Sequence, residues 1–195
     1  METRWEMLTP PDFERLAREA GLCAVPIGSL ERHGEHMPFG TDGLVCHEVV
    51  YQASQQTPCV VFPTYWFGQV HEASCFTGTV NFPTALLCQL LETLLDEIAA
   101  NGFRKIALVS GHGGNTDFLH YFAMSQLDRE VSYTLYVLST FGSEGGAGEA
   151  ARAVLDTHEG GHADEAETSM ILSVVPDAVK MEQQRFPEPI RPKGD

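Results

Sequence analysis

The sequence predicts an α/β fold in which a mainly parallel sheet is covered by helices on both faces. Three observations predict it. Short apolar runs alternate with segments of helical spacing along the chain. The runs are bounded by Gly, Ser and Pro, as buried strands are. The helical segments carry start and stop residues at their ends. With 195 residues, one domain over 1–195 is expected.

The elements follow in order. "TPPDFERLAREAG" (9–21) opens with Thr and Pro and ends in Gly, so it reads as a helix. "LCAVPIGS" (22–29) is a buried strand. "TDGLVCHEVVYQASQQ" (41–56) is a helix, and "CVVFPTYWFG" (59–68) a second strand. "FPTALLCQLLETLLDEIAANG" (82–102) is the clearest helix, with Pro near its start, Gly past its end and leucines three and four apart. "KIALVSGHGGN" (105–115) is a strand running into a glycine turn, and a helix follows it. "SYTLYVLST" (132–140) is a fourth strand, 141–152 a Gly-rich loop, and "ADEAETSMILSVVP" (163–176) a last helix stopped by Pro.

Composition excludes several function classes. Hydrophobic content of 43% is that of a globular chain. A net charge of −15, with only 12 Lys and Arg, argues against nucleic acid. No apolar run is long enough to span a bilayer, and the first residues are charged rather than signal-like. A cytoplasmic protein is expected. Five scattered cysteines without a C-x-x-C pair read as small buried residues.

Chemistry concentrates in three stretches. "GSLERHGEHMPFGTD" (28–42) carries Glu31, His33, His36 and Asp42. "SGHGGN" (110–115) carries His112 among glycines, and "HEGGHADEAETS" (158–169) carries His158, Glu159, His162, Asp164, Glu165 and Glu167. The first two follow the carboxyl ends of expected strands, where ligands bind in open α/β sheets. Mixed imidazole and carboxylate donors suit a borderline cation such as Zn²⁺, Mn²⁺ or Fe²⁺. Blander readings stand beside this one. Asp42 alone reads as a helix N-cap, and Glu165 and Glu167 as solvated helix charges. "SGHGGN" alone could cradle a phosphate, although it lacks the lysine of a P-loop.

"VPIGSLERHGEHMPFGTD", "SGHGGN" and "HADEAETS", in this order, closely resemble the creatininase family. Its pattern runs G-S-x-E-Q-H-G-x-H-L-P-x-x-T-D, then G-H-G-G-N, then H-A-G-x-x-E-T-S. "CFTGTVNF" (75–82) is similar to its F-P-G-T-I segment, with Thr77 where Pro is usual. The resemblance covers about residues 20–176. It implies a three-layer α/β sandwich and a metal-dependent amidohydrolase with two divalent ions. It implies metal ligation by Glu31, His33, Asp42 and His112, with Asp42 bridging. Creatininase has a glutamate two residues after the histidine of the second motif, where this chain has Gly114. The resemblance therefore points to Glu167 as the fifth ligand, with Glu165 as second candidate. It makes His162 the general acid, places His36 in the pocket lining, and offers the amides of Gly113 and Gly114 to the substrate. A metal-bridging hydroxide would attack the carbonyl of a cyclic amide or formamide. A small-molecule substrate, a homo-oligomer (creatininase is a hexamer) and a short C-terminal segment for the family are further implications. Related activities on a keto-sugar ring or a maturation peptide, or a non-catalytic metal-binding subunit, are the alternatives. Creatinine itself is disfavoured, because no tryptophan follows Trp66. Arg32 replaces the usual Gln, on a side chain expected to point away from Glu31 and His33.

Overall fold

A computed structural model describes residues 1–140, 153–157, 161–185 and 193. The Gly-rich stretch 141–152, and His158 and Glu159, lie outside the described residues. Four strands form one parallel sheet in the order β2-β1-β3-β4: β1 (Leu22–Ile27), β2 (Val60–Val61), β3 (Lys105–Ser110) and β4 (Thr134–Ser139). β1 and β3 run in register from Leu22 opposite Lys105 to Ile27 opposite Ser110.

Side chains of β1 alternate between two cores, as the pleat requires. Cys23, Val25 and Ile27 face α1 (Pro10–Ala20), α3 (Thr84–Ala100) and α4 (Asn115–Ser125). Leu91, Leu95 and Ile98 of α3 are its buried stripe, at the spacing the sequence shows. Ala24, with Ala107 and Val109, faces Cys46 and Val50 of α2 (Thr41–Ser54). α5 (Glu165–Val174) packs outside α2 through Ile171, Val45 and Met37. The result is three layers: α1, α3 and α4; the sheet; then α2 and α5.

Gly21 ends α1 at φ 62, a left-handed turn that favours glycine, and the chain enters β1 at once. The second strand is shorter than the expected 59–68. Pro63 lacks the N–H needed to continue a ladder. The chain still follows the edge of β1 irregularly, with Phe62 N donating to Ala24 O at 2.8 Å and Tyr65 N to Pro26 O at 2.8 Å. Cys23, Cys46 and Cys59 are buried as expected; Cys75 is exposed. Among the described residues no helix is long and apolar enough to cross a membrane.

Candidate metal centre

The carboxyl ends of β1 and β3 open toward the same edge, and the start of α2 lies across them. Close backbone approach makes this possible. A side-chain carbon at Gly28 would overlap the backbone of Gly43, and one at Gly111 would overlap the Asp42 carbonyl. With no side chains in between, Asp42 is delivered between two imidazoles. It lies in the first turn of α2 and is not its cap, which is Gly40.

Asp42 Oδ1 stands 2.9 Å from His33 Nε2, and its Oδ2 stands 3.2 Å from His112 Nδ1. His112 Nδ1 is also 3.0 Å from Glu31 Oε2. Glu167 Oε2 is 3.9 Å from His33 Nε2. Ser29 Oγ donates to Asp42 Oδ2 at 2.6 Å. Glu31, His33, Asp42, His112 and Glu167 are all buried. Their ligand-capable atoms fall into overlapping sets, each within 4.8 Å: Glu31, Asp42 and His112; His33, Asp42 and Glu167; and Glu31, His33 and His162. Asp42 belongs to the first two sets.

The hydrogen bonds fix which nitrogen faces inward. His33 Nδ1 donates to Glu31 O at 3.1 Å. His162 Nε2 donates to Arg32 O at 2.8 Å. His112 Nε2 donates to Glu72 Oε1 at 3.1 Å. When neutral, the His33 and His162 rings therefore turn an unprotonated nitrogen toward the carboxylates, and His112, with Glu72 on its outer side, can do the same. His33 Nε2 is buried and makes no hydrogen bond of good geometry, although Asp42 Oδ1 is 2.9 Å away. Acceptor facing acceptor, in burial, requires a proton or a cation between them. With protons alone, burial would lower both rings, but Asp42 overcomes it. His33 is pushed up to about 9, and His112, with Glu31 also beside it, to about 10. Burial works against the Asp42 carboxylate too, yet His112 and His33 hold it well below the usual range. Burial raises Glu167. The donor set, its geometry and the orphaned His33 nitrogen thus fit divalent cations.

The third motif reaches the cluster through a strained turn. Ala163 adopts φ 53, unusual for a residue with a side chain. This turn lays the His162 ring on that of His33, with centroids 4.6 Å apart, and keeps it partly exposed to the cleft. His162 Nδ1 is 3.8 Å from Glu31 Oε1. Ala163 N donates to Glu167 Oε2 at 2.6 Å, and Asp164 caps α5 by accepting from Glu167 N. Glu165 lies elsewhere: it accepts from Asp156 N and Thr157 N. His36 is buried and shares a 3.0 Å hydrogen bond with Thr168 of α5, which ties the first motif to the third. Gly113 is exposed, and Gly114 O accepts from Gln69 Nε2. Arg32 points away from the cluster as expected, toward Glu35 and the Phe76 ring.

Sequence reasoning missed Ser29, Gln69 and Glu72. Ser29 sits inside the first motif. The other two follow the carboxyl end of β2, so the edge rule that flagged the other stretches would have found them. A cavity of about 650 Å³ lies at the opposite end of the sheet among Pro10, Phe13 and Arg104, remote from this cluster.

The sequence profile of the creatininase family (creatinine amidohydrolase) matches residues 6–195. The chain is 30% identical over 164 residues to a mycofactocin precursor peptide peptidase from Mycolicibacterium smegmatis, covering 81% of this chain and 60% of that protein. It is 25% identical over 196 residues to a 3-dehydro-scyllo-inosose hydrolase from Thermotoga maritima, covering 95% and 60%. To a creatinine amidohydrolase from Pseudomonas putida it is 28% identical over 118 residues, covering 57% and 45%. The chain thus spans 60% or less of these three relatives' own lengths. Its fold matches solved creatininase structures. A Mn form is 24% identical with a TM-score of 0.78, over 94% of this chain and 77% of that one. A Zn–Zn mutant form is 23% identical with a TM-score of 0.78, over 94% and 76%.

Proposed function

The chain belongs to the creatininase family, and from that premise we propose that it is a metal-dependent amidohydrolase acting on a non-peptide C–N bond of a small molecule. A cyclic amide or a formamide is the proposed substrate class. The observation that carries this reading is the set of inward-facing imidazole nitrogens opposed to buried carboxylates, above all His33 Nε2 against Asp42 Oδ1. Glu31, Asp42 and His112 would hold one divalent ion, and His33, Asp42 and Glu167 the other, with Asp42 shared. Zn, Mn and Fe all suit these donors. When bound, the ions supply an activated water and a polarised carbonyl.

The chain's own residues do the rest. Ser29 Oγ, 2.6 Å from Asp42 Oδ2, donates to the carboxylate and keeps it oriented. His162, anchored by its Nε2–H on Arg32 O, presents Nδ1 to the cleft. There Nδ1 would take the proton released by the attacking water and pass it to the departing nitrogen, work that suits an imidazole. The turn at exposed Gly113 and half-buried Gly114 offers amides to the developing oxyanion. His36 backs the pocket wall through Thr168. One domain, a cytoplasmic setting and a homo-oligomer, a hexamer by analogy, complete the proposal. A second reading, a maturation peptide or a keto-sugar ring as substrate, is favoured by the similarity to the mycofactocin peptidase and the inosose hydrolase.

Elemental analysis of protein purified without chelators tests the metal centre. Close to two metals per chain are expected in the wild type, with loss in both Asp42→Ala and Glu167→Ala. Loaded enzyme is then assayed on lactams and formamides. A wild type without bound metal would overturn the reading.

A further inference from the structure

We propose that Glu72 is the positioning carboxylate of His112: it takes the outer ring N–H and so commits Nδ1 to the metal-binding cluster. The inference rests on the metal centre proposed above. Glu72 Oε1 lies 3.1 Å from His112 Nε2, on the opposite side of the ring from Glu31 Oε2 at 3.0 Å and Asp42 Oδ2 at 3.2 Å. Glu72 therefore cannot share a cation with those carboxylates through the same nitrogen. With a cation beside Glu31 and Asp42 taking the Nδ1 lone pair, the proton of the neutral ring sits on Nε2, where the Glu72 carboxylate accepts it. A ligating histidine held this way is a better donor and is fixed in orientation.

The seat for Glu72 is built rather than incidental. Gln69 Nε2 bridges Glu72 Oε2 at 3.0 Å and Gly114 O at 2.9 Å. Gln69 N in turn donates to Asn115 Oδ1 at 2.8 Å, and Asn115 is fully buried. Gln69 Oε1 accepts from His71 N. The segment after β2 is thus pinned to the start of α4. Gly114 opens the slot through which the carboxylate reaches the ring. Its φ of −61 is open to any residue, so its backbone does not call for glycine. The space does: a side-chain carbon there would overlap the Glu72 carboxylate and stand 2.6 Å from His112 Nε2. The Glu72 side chain is half exposed, so replacing it leaves the core intact.

The test uses the full chain stripped of metal and titrated with cobalt(II), whose visible spectrum reports ligand geometry. Glu72→Ala is expected to weaken cobalt binding about 10- to 100-fold and to change the spectrum. Glu72→Gln, which keeps an acceptor oxygen, recovers part of the loss. Gly114→Ala, which displaces the carboxylate without removing it, reproduces the alanine defect. Circular dichroism confirms that each variant is folded. Wild-type binding with Glu72→Ala within about twofold of it, and an unchanged spectrum, would overturn this inference alone. A wild type that binds no cobalt overturns both this inference and the metal centre.

Discussion

Gly111→Ala probes how the cluster is assembled, because it adds one carbon where β3 meets α2. The new carbon would overlap the Asp42 carbonyl oxygen and stand 2.6 Å from Cys46 Cβ. Non-bonded carbons rest at about 3.5–4.0 Å, so α2 must retreat by roughly 1 Å. Overpacking of this kind costs about 1–3 kcal/mol. For a chain of this size each kcal/mol moves Tm by about 2–4 °C, giving a fall of about 2–12 °C. The same retreat draws Asp42 away from His33 and His112, now 2.9 and 3.2 Å from it. Zinc affinity by calorimetric titration should therefore fall about tenfold or more, the scale seen when ligand orientation is disturbed. Gly21→Ala is the control. It meets no atom within 4 Å but sits at φ 62, so it costs about 1–2 kcal/mol of backbone strain and leaves zinc affinity alone. Equal zinc affinities in both variants would refute the claim that close strand–helix approach places Asp42.

Two further outcomes follow from the same geometry. In metal-free protein, His33 and His112 hold protons more tightly folded than unfolded. Their stabilisation is therefore complete below the ordinary histidine value of 6.5 and is lost as pH rises through about 9 and about 10. The Tm of the metal-free protein should fall between pH 7 and 10, and a flat or rising profile would contradict the assignment. Ser29→Ala removes the 2.6 Å donor to the buried Asp42 carboxylate. Such bonds are worth about 1.5–3 kcal/mol, so Tm should drop by about 3–12 °C. An unchanged melt would show that Ser29 does not hold Asp42.

What the sequence made legible was whatever depends on local pattern. The leucine stripe of α3, the buried run of β1 and the Gly stop of α1 are properties of neighbouring residues. The edge rule for parallel sheets placed 28–42 and 110–115 together before any coordinates. What it could not resolve depends on how whole elements are turned. Glu165 and Glu167 are two residues apart on α5, so they point about 200° from one another. Sequence names both; only the seating of Ile171 against α2 turns Glu167 inward and sends Glu165 to Asp156 and Thr157. The extent of β2 was misjudged because Val60–Val61 and the chain through Tyr65 share one apolar run, while Pro63 breaks the ladder. Glu72 follows the carboxyl end of β2, where the edge rule points, but its partner is 40 residues away, so its pairing with His112 is not a local pattern.

The outer hydrogen bonds decide what the cluster is for. Had a histidine been placed here for packing, its inward nitrogen would carry the proton and donate to the nearest carboxylate. Instead the outward nitrogens of His33, His112 and His162 are committed to Glu31 O, Glu72 and Arg32 O. The two carbonyls impose this polarity on His33 and His162, and Glu72 offers the same one to His112. The protonated state answers this by adding a second proton to His33 and His112, against the burial that disfavours a charged ring. A divalent ion answers it without that addition, because it meets the imidazole lone pair and the carboxylate together. The protons and the ions therefore compete for one set of atoms, and the side that wins at neutral pH is set by ion affinity. That competition is why metal content, rather than turnover on any one substrate, is the measurement on which the proposed function turns.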